Sequence, residues 1–219
     1  SGRIARANDV VKLFLSQNDN NIDSIVNKMN SHNTTRKNIE KKNFDLINFN
    51  EHYDKNIVFI YNKEFHLGTI GIIAAKLSQL FNKPCFILTE SHDSLKCSIR
   101  SGNNIKINKT INKLMSNKLI ISGGGHDEAG GFTAKKEYLS NIKDFLFKEY
   151  ENLNIKNYSY FDAYTVFPKK NSTLINDLKS LEPFGKENPE PIFCFKNIKS
   201  IKSKIINNRH IQNILKNKS

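Results

Sequence analysis

The segment Gly123-Gly124-Gly125-His126-Asp127-Glu128-Ala129-Gly130-Gly131 packs five glycines and a histidine into nine positions. Glycine at this density reads as poor helix and poor strand. Its use is to let backbone approach a ligand closely or to reach positive φ. Successive backbone N–H groups in such a turn form an anion-binding concavity, and the imidazole of His126 adds a side-chain hydrogen-bond donor. The pattern points to a phosphate held by Gly124, Gly125, His126 and Gly131. The plainer alternative is a glycine-rich hairpin with a solvent-facing histidine.

Two further groupings suit the same ligand. Ser98-Ile99-Arg100-Ser101-Gly102 sets an arginine between serines at the end of an apolar run, and a guanidinium offers a two-pronged fork for phosphate. Glu64-Phe65-His66-Leu67-Gly68-Thr69 precedes an amphipathic stretch. A helix N-terminus there would present unpaired N–H groups and partial positive charge to an anion. His66 either faces that anion or merely caps and packs.

Other chemistries find little support. Metal catalysis needs clustered carboxylates and histidines. The pairs His92-Asp93 and His126-Asp127 fall in a polar loop and in the glycine turn, so no metal site is expected within the chain. No Walker-type loop and no Gly-x-Ser-x-Gly turn is present. Cys85, Cys97 and Cys194 are odd in number and widely spaced, which fits neither a disulfide framework nor a zinc site. A reducing, cytoplasmic setting is expected. No run approaches a membrane-spanning length and the N-terminus is not a secretory signal, so no membrane partner is expected.

The net charge is +13 over 219 residues, with a pI near 9.6. A polyanion such as nucleic acid would explain it. So would the Asn, Ile and Lys bias of an AT-rich genome. Distribution adds some weight to the first: Lys196 to Ser219 holds seven Lys or Arg and no Asp or Glu.

The elements that would position these residues follow from periodicity. A short helix spans 8–15, capped by Asn8 or Asp9. A longer one begins at a cap on Asn20 or Asn21 and runs to about residue 50; its polar middle makes it a partly buried bridge between domains, its charge run a solvated face. Ile57–Tyr61 and Pro84–Thr89 are buried strands flanking a helix that Gly68 and Thr69 open, a βαβ unit. A strand at 95–100, a helix at 109–117, a strand at Phe132–Ala134 and a closing helix at 137–152 complete an α/β domain. After about residue 155 the texture turns to short strands at 161–166, 192–195, 198–206 and 210–215, with a small helix near 172–179. This reads as a small β-barrel domain with too few strands to close.

At this point the residues resemble a known family. Gly124-Gly125-His126-Asp127-Glu128-Ala129-Gly130-Gly131 resembles the GGHxxAxG signature of the DHH-associated C-terminal domain in the DHH phosphoesterase superfamily. Phe65-His66-Leu67-Gly68-Thr69-Ile70-Gly71-Ile72-Ile73-Ala74 is similar to the WHxGVIGIVA segment of its RecJ branch, single-strand-specific DNA exonucleases, with Phe65 for Trp and Thr69 for Val. Leu181-Glu182-Pro183-Phe184-Gly185-Lys186-Glu187-Asn188-Pro189-Glu190-Pro191 resembles the branch's LEPFGxxNPEP motif, which introduces an OB-type domain. Ser98-Ile99-Arg100-Ser101 falls where that branch has an Arg-Ser pair. Ser1-Gly2-Arg3-Ile4 resembles the end of its metal-binding domain, whose Asp-His-His cluster does not occur in this chain.

The resemblance implies an α/β fold in three parts: the end of a DHH domain with a long connecting helix (1–56), a DHH-associated substrate-binding domain (57–154), and a partial OB-type domain (155–219). It implies two-metal phosphodiester hydrolysis, 5′→3′ on single-stranded DNA in repair and recombination, with Mn²⁺ or Mg²⁺ bound by the missing domain. This portion, expected to be monomeric and inactive alone, would form the opposite wall of the cleft. There His126, the loop amides, Ser98, Arg100, Ser101 and His66 would hold backbone phosphates, Arg3 would reach from the hinge, and residues 8–50 would act as the spacer. Two alternatives stand beside it: a small-oligonucleotide phosphoesterase of the same superfamily, and a non-catalytic nucleic-acid-binding module.

Overall fold

The computed structural model describes residues 3–5, 7–16, 19–102, 105–153, 161–165, 173–185, 187–206 and 210–217. The chain divides into two compact units, Ser1–Asn157 and Tyr158–Ser219.

In the first unit, helices α1 (Asn8–Leu15) and α2 (Asp19–Asp45) precede a 3-10 turn at Phe49–His52. Strand β1 (Val58–Tyr61), helix α3 (Leu67–Phe81) and strand β2 (Cys85–Ser91) follow, with β1 and β2 paired in parallel. This is the βαβ unit expected from the apolar runs. Strand β3 (Ser94–Arg100), helix α4 (Ile107–Ser116), strands β4 (Ser122–Gly125) and β5 (Ala129–Lys135), a 3-10 turn at Lys136–Tyr138 and helix α5 (Leu139–Glu149) complete it. The sheet order is β1-β2-β3-β5-β4, with antiparallel pairing from β2 onward.

Both sheet faces carry apolar layers. On one, Ile107, Ile111 and Leu114 of α4 and Ile142 and Leu146 of α5 pack on Phe86, Leu88, Leu95, Ile99 and Phe132. On the other, Ile70, Ile73, Ala74 and Leu77 of α3 pack on Val58, Cys85 and Ile87. β2 is buried on both faces and reads as a continuous apolar run, whereas β3 alternates. The apolar partners of α3 come from β1 and β2. Beyond them, the same sheet face carries Lys96, Ser98 and Arg100 of β3, Gly131 and Thr133 of β5, and Ser122 and Gly124 of β4.

Three expectations are corrected. The glycine segment is not a loop throughout: Ser122–Gly125 is an edge strand and Ala129–Lys135 an inner one. Register against β3 holds it, so pairing outweighs the poor strand propensity of glycine. α2 ends at Asp45 rather than near residue 50. The residue before α1 is Ala7, with no side-chain cap, and α2 begins at Asp19, so Asn20 and Asn21 lie inside it.

The second unit contains strand β6 (Ala163–Thr165), helix α6 (Leu174–Lys179), strand β7 (Phe193–Phe195) and the hairpin β8 (Ile198–Ile206) with β9 (His210–Asn217). β6 pairs in parallel with β7. Residues 166 and 172, the ends of an expected strand and helix, lie outside the described residues. The Pro-rich segment is closed by Asn188. Its side-chain amide donates to the carbonyls of Leu181 (2.8 Å) and Pro183 (3.1 Å), and its backbone exchanges hydrogen bonds with Gly185.

Candidate nucleic-acid interface

Three predicted residues far apart in sequence meet in the first unit. Arg3, His66 and Ser98 line one cleft of about 630 Å³, together with Leu67, Gly68, Ile70 and Gly71 of α3. Small residues make this meeting possible. A Cβ on Gly68 would overlap the carbonyl of Arg3, and one on Gly71 would lie 3.2 Å from Ser98 Oγ and 3.6 Å from an Arg3 guanidinium nitrogen. The turn at Arg3 therefore sits directly over the first turn of α3. Gly71 is a contributor that sequence reasoning did not single out; its place one turn after Gly68 on the helix was the available signal.

His66 is the N-cap of α3, and its Nδ1 accepts the Gly68 N–H at 3.0 Å. The capping role weighed for it is thus present. It leaves the exposed ring free to donate from Nε2 in the neutral form.

A row of register partners extends the cleft across the sheet. Ser98 lies opposite Gly131, and Gly131 opposite Gly124. Two residues on from Ser98, on the same face, comes Arg100, opposite Ala129. The Nε of Arg100 is buried without a hydrogen-bond partner among the described residues. An unpaired donor on a permanent cation is costly unless something outside the chain accepts from it.

The glycine segment divides by role. Gly123 and Gly130 turn toward α4, where a Cβ would press on Ile111. A Cβ at Gly131 would come within 2.6 Å of the Cys97 carbonyl, and Gly125 holds φ +156°. These four have structural reasons to be glycine. Gly124 has none: a Cβ there would meet nothing within 4 Å. His126 is exposed at the hairpin tip, its N–H donating to the Ala129 carbonyl at 2.8 Å. By the alternation of an antiparallel ladder, the N–H groups of Gly123 and Gly125 then face the free edge of the sheet. The tip is fixed by the Ser101 and Ile107 N–H groups, which donate to the Glu128 and Asp127 carbonyls at 2.8 and 3.0 Å. The Ser101 hydroxyl donates to Ile105 at 2.7 Å and braces a turn of its own chain.

Mn²⁺ or Mg²⁺ finds no fit here. Among the described residues no three His, Cys, Asp or Glu side chains gather as a metal site. His92-Asp93 is the turn between β2 and β3, with His92 at φ 54°, and Asp127 pairs instead with Lys106 at 3.4 Å. Burial pushes the Cys85 and Cys97 thiols well above their ordinary range, so neither supplies a thiolate. Among the described residues no helix is long and apolar enough to cross a membrane.

In the second unit, the exposed rings of Phe161 and Tyr164 lie 4.4 Å apart between centroids, with Lys196 Nζ 3.6 Å from the Tyr164 centroid. Sequence reasoning missed this group because β6 and β7 bring its members together from 32 residues apart (196 − 164). In the β8–β9 hairpin, Lys199 lies directly opposite Lys216.

Both units are similar to parts of known proteins. The DHHA1 domain family matches residues 54–152 and the RecJ OB domain family residues 161–219. The single-stranded-DNA-specific exonuclease RecJ of Bacillus subtilis is 24% identical over 234 residues, an alignment covering 100% of this chain and 29% of that protein. The protein of the same name from Thermus thermophilus is 21% identical over 195 residues, covering 88% and 28%. The chain thus spans about three-tenths of the length of these relatives. The crystal structure of RecJ in complex with Mn²⁺ from Thermus thermophilus matches with a TM-score of 0.80 at 20% identity, covering 98% of this chain and 32% of that one. A manganese-bound exonuclease RecJ matches with a TM-score of 0.61 at 19% identity, covering 70% and 38%. The chain is thus similar in sequence and in fold to RecJ exonucleases, with a match to the DHHA1 domain family followed by one to the RecJ OB domain family.

Proposed function

We propose that this chain is the substrate-binding portion of a RecJ-like exonuclease that degrades single-stranded DNA 5′→3′. The observation that carries the reading is the convergence of Arg3, His66 and Ser98 on one cleft, continued across the sheet by Gly131, Gly124 and the unpaired Nε of Arg100. A strand laid along this face would place successive phosphates against the Arg3 guanidinium, the His66 ring and the Arg100 fork. Gly124 would allow the closest backbone approach. His126 and the outward amides of Gly123 and Gly125 would receive a phosphate at the sheet edge.

The second unit, matched by the RecJ OB domain family, would itself bind single-stranded DNA. Exposed aromatic rings give sequence-tolerant stacking to bases, which suits Phe161 and Tyr164. Opposed lysines on one hairpin destabilise an isolated pair of strands, and a polyanion laid across Lys199 and Lys216 removes that repulsion. Hydrolysis itself is not assigned to these residues. The chain binds and orients, and metal-dependent cleavage belongs to residues outside these 219.

The test is titration of the 219-residue chain into fluorescein-labelled oligothymidylate. Binding weakens as salt rises, and Arg100→Gln reduces affinity by about tenfold, the loss of a hydrogen bond to a charged group. Incubation with Mn²⁺ or Mg²⁺ leaves the DNA intact. Unchanged affinity in Arg100→Gln removes the sheet face from the interface, and metal-dependent cleavage by the purified chain overturns the division of labour.

A further inference from the structure

The C-terminal half of α2 is tied to the start of α3 by buried polar groups that no packing argument requires. Asn43, 3% exposed, donates from Nδ2 to Thr69 Oγ1 at 2.9 Å. Thr69, 0% exposed, donates from Oγ1 to the His66 carbonyl at 2.8 Å, and its N–H donates to the same oxygen at 2.9 Å. On the other side of the peptide, the buried Thr89 hydroxyl donates to the Phe65 carbonyl at 2.7 Å. The backbone that carries the His66 ring is therefore gripped from two directions. The register of α2 on α3 is fixed one turn earlier by Glu40, which accepts from Arg36 at 2.7 Å and from Lys76. Lys76 Nζ also lies 5.4 Å from the Phe44 ring centroid.

A buried amide and hydroxyl each surrender hydration that their mutual bond only partly returns, and an apolar pair of the same shape is often as stable. What the polar pair adds is direction: a hydroxyl held by Asn43 has its proton aimed at the His66 carbonyl.

We propose that Asn43 is a positioning residue for His66, acting through Thr69, so that the connecting helix sets the orientation of the imidazole in the cleft. The proposal rests on the reading of that cleft as the DNA-binding site. The relay works in one sense. Asn43 fixes the Thr69 hydroxyl, Thr69 fixes the His66 carbonyl, and the fixed backbone holds Nδ1 against the Gly68 N–H. With Nδ1 accepting, the neutral ring carries its proton on Nε2. α2 is then more than a spacer: a tilt of its C-terminal half reaches the cleft directly.

The experiment compares Asn43→Leu, Thr69→Val and Thr69→Ser in the 219-residue chain. Thermal unfolding checks the fold, and long-range ¹H–¹⁵N spectra read the His66 ring. The parent shows the Nε2–H tautomer. Asn43→Leu and Thr69→Val mix the tautomers and lower oligothymidylate affinity by about three- to tenfold, while Thr69→Ser, which keeps the hydroxyl, restores both. Thr69→Val keeps the measurement available should Asn43→Leu fail to fold. Unchanged His66 signals in Thr69→Val overturn the proposal. His66→Ala separates the two layers: if it binds DNA as tightly as the parent while Thr69→Val still shifts the ring signals, the relay stands and the reading of the cleft falls.

Discussion

Gly124→Ala should stabilise the protein and weaken its hold on DNA, and the opposition of signs is what makes it informative. Gly124 sits in edge strand β4, opposite Gly131, and only Gly125 among the described glycines has a positive φ. A Cβ at Gly124 meets nothing within 4 Å, so alanine brings neither strain nor overlap. Alanine in a strand interior is better than glycine by about 0.5–1 kcal/mol, because less backbone freedom is lost on folding. For a unit of this size that is a rise of about 1–4 °C in the unfolding midpoint. If the position is glycine so that a phosphate can approach the backbone, the added methyl displaces that contact. The loss is then that of a phosphate hydrogen bond to the neighbouring edge amides of Gly123 or Gly125, a bond to a charged group of about 1.5–3 kcal/mol, or roughly tenfold or more in affinity. The assay pairs differential scanning calorimetry of the free protein with fluorescence anisotropy on labelled oligothymidylate at fixed salt. A raised midpoint with unchanged affinity removes Gly124 from the interface. A lowered midpoint refutes the register itself, since it means that the site was not open.

Two further outcomes follow from charge. His52 is buried with its Nδ1 unpartnered among the described residues, its ring edge-on to Phe81, and burial with nearby Lys55 lowers its pKa from 6.5. Below that value the unfolded chain takes up a proton that the folded one refuses, so stability falls as pH drops from 6.5 toward the lowered folded value. His52→Phe should flatten this limb in midpoint-against-pH scans, and an unaltered slope there means another group is responsible. In the second unit, Lys199, Lys202, Lys204 and Lys216 lie on a hairpin without a single acidic residue. Replacing all four by Gln should reduce the log–log salt slope of single-strand binding by about 3, at about 0.7 per phosphate; an unchanged slope places the electrostatic contact elsewhere.

Much of the α/β core was legible because its signals are local. Ile57–Tyr61 and Pro84–Leu88 are apolar runs because they become, or lead into, strands covered by helices. The period of Ile70, Ile73, Ala74 and Leu77 matches the face α3 turns inward, whereas Leu80, read onto the same face, is exposed near the helix end. Boundaries failed where local and tertiary signals part. Leu46 continues the helical spacing of α2 but is exposed, while Ile47, just past the helix end, is buried against Phe44, Phe49 and α3. The apolar pattern thus outlasted the helix. The glycine strand was illegible for a related reason: β4 carries no side chain beyond Ser122 that could announce a strand, and its conformation is imposed by β5.

The candidate site shows the same division between residue type and placement. Arg3, His66, Ser98, Arg100 and Gly124 could each be singled out as residues that suit a phosphate. That Arg3 lies over Gly68, 65 positions away (68 − 3), follows only from the fold. Even the charge, ambiguous as a sum, separates once placed. In the first unit Lys28, Lys76, Lys106, Lys113, Lys135 and Lys136 each pair with a carboxylate. From Lys196 onward there is no carboxylate side chain to pair with. Lys37, Lys109 and Lys118 of the first unit also lack a carboxylate partner among the described residues, so what sets the C-terminal segment apart is the absence of acid from its sequence. Paired lysines contribute little field at a distance, whereas the hairpin lysines of the second unit have no acidic neighbour along their strands to offset them and keep their attraction for a polyanion.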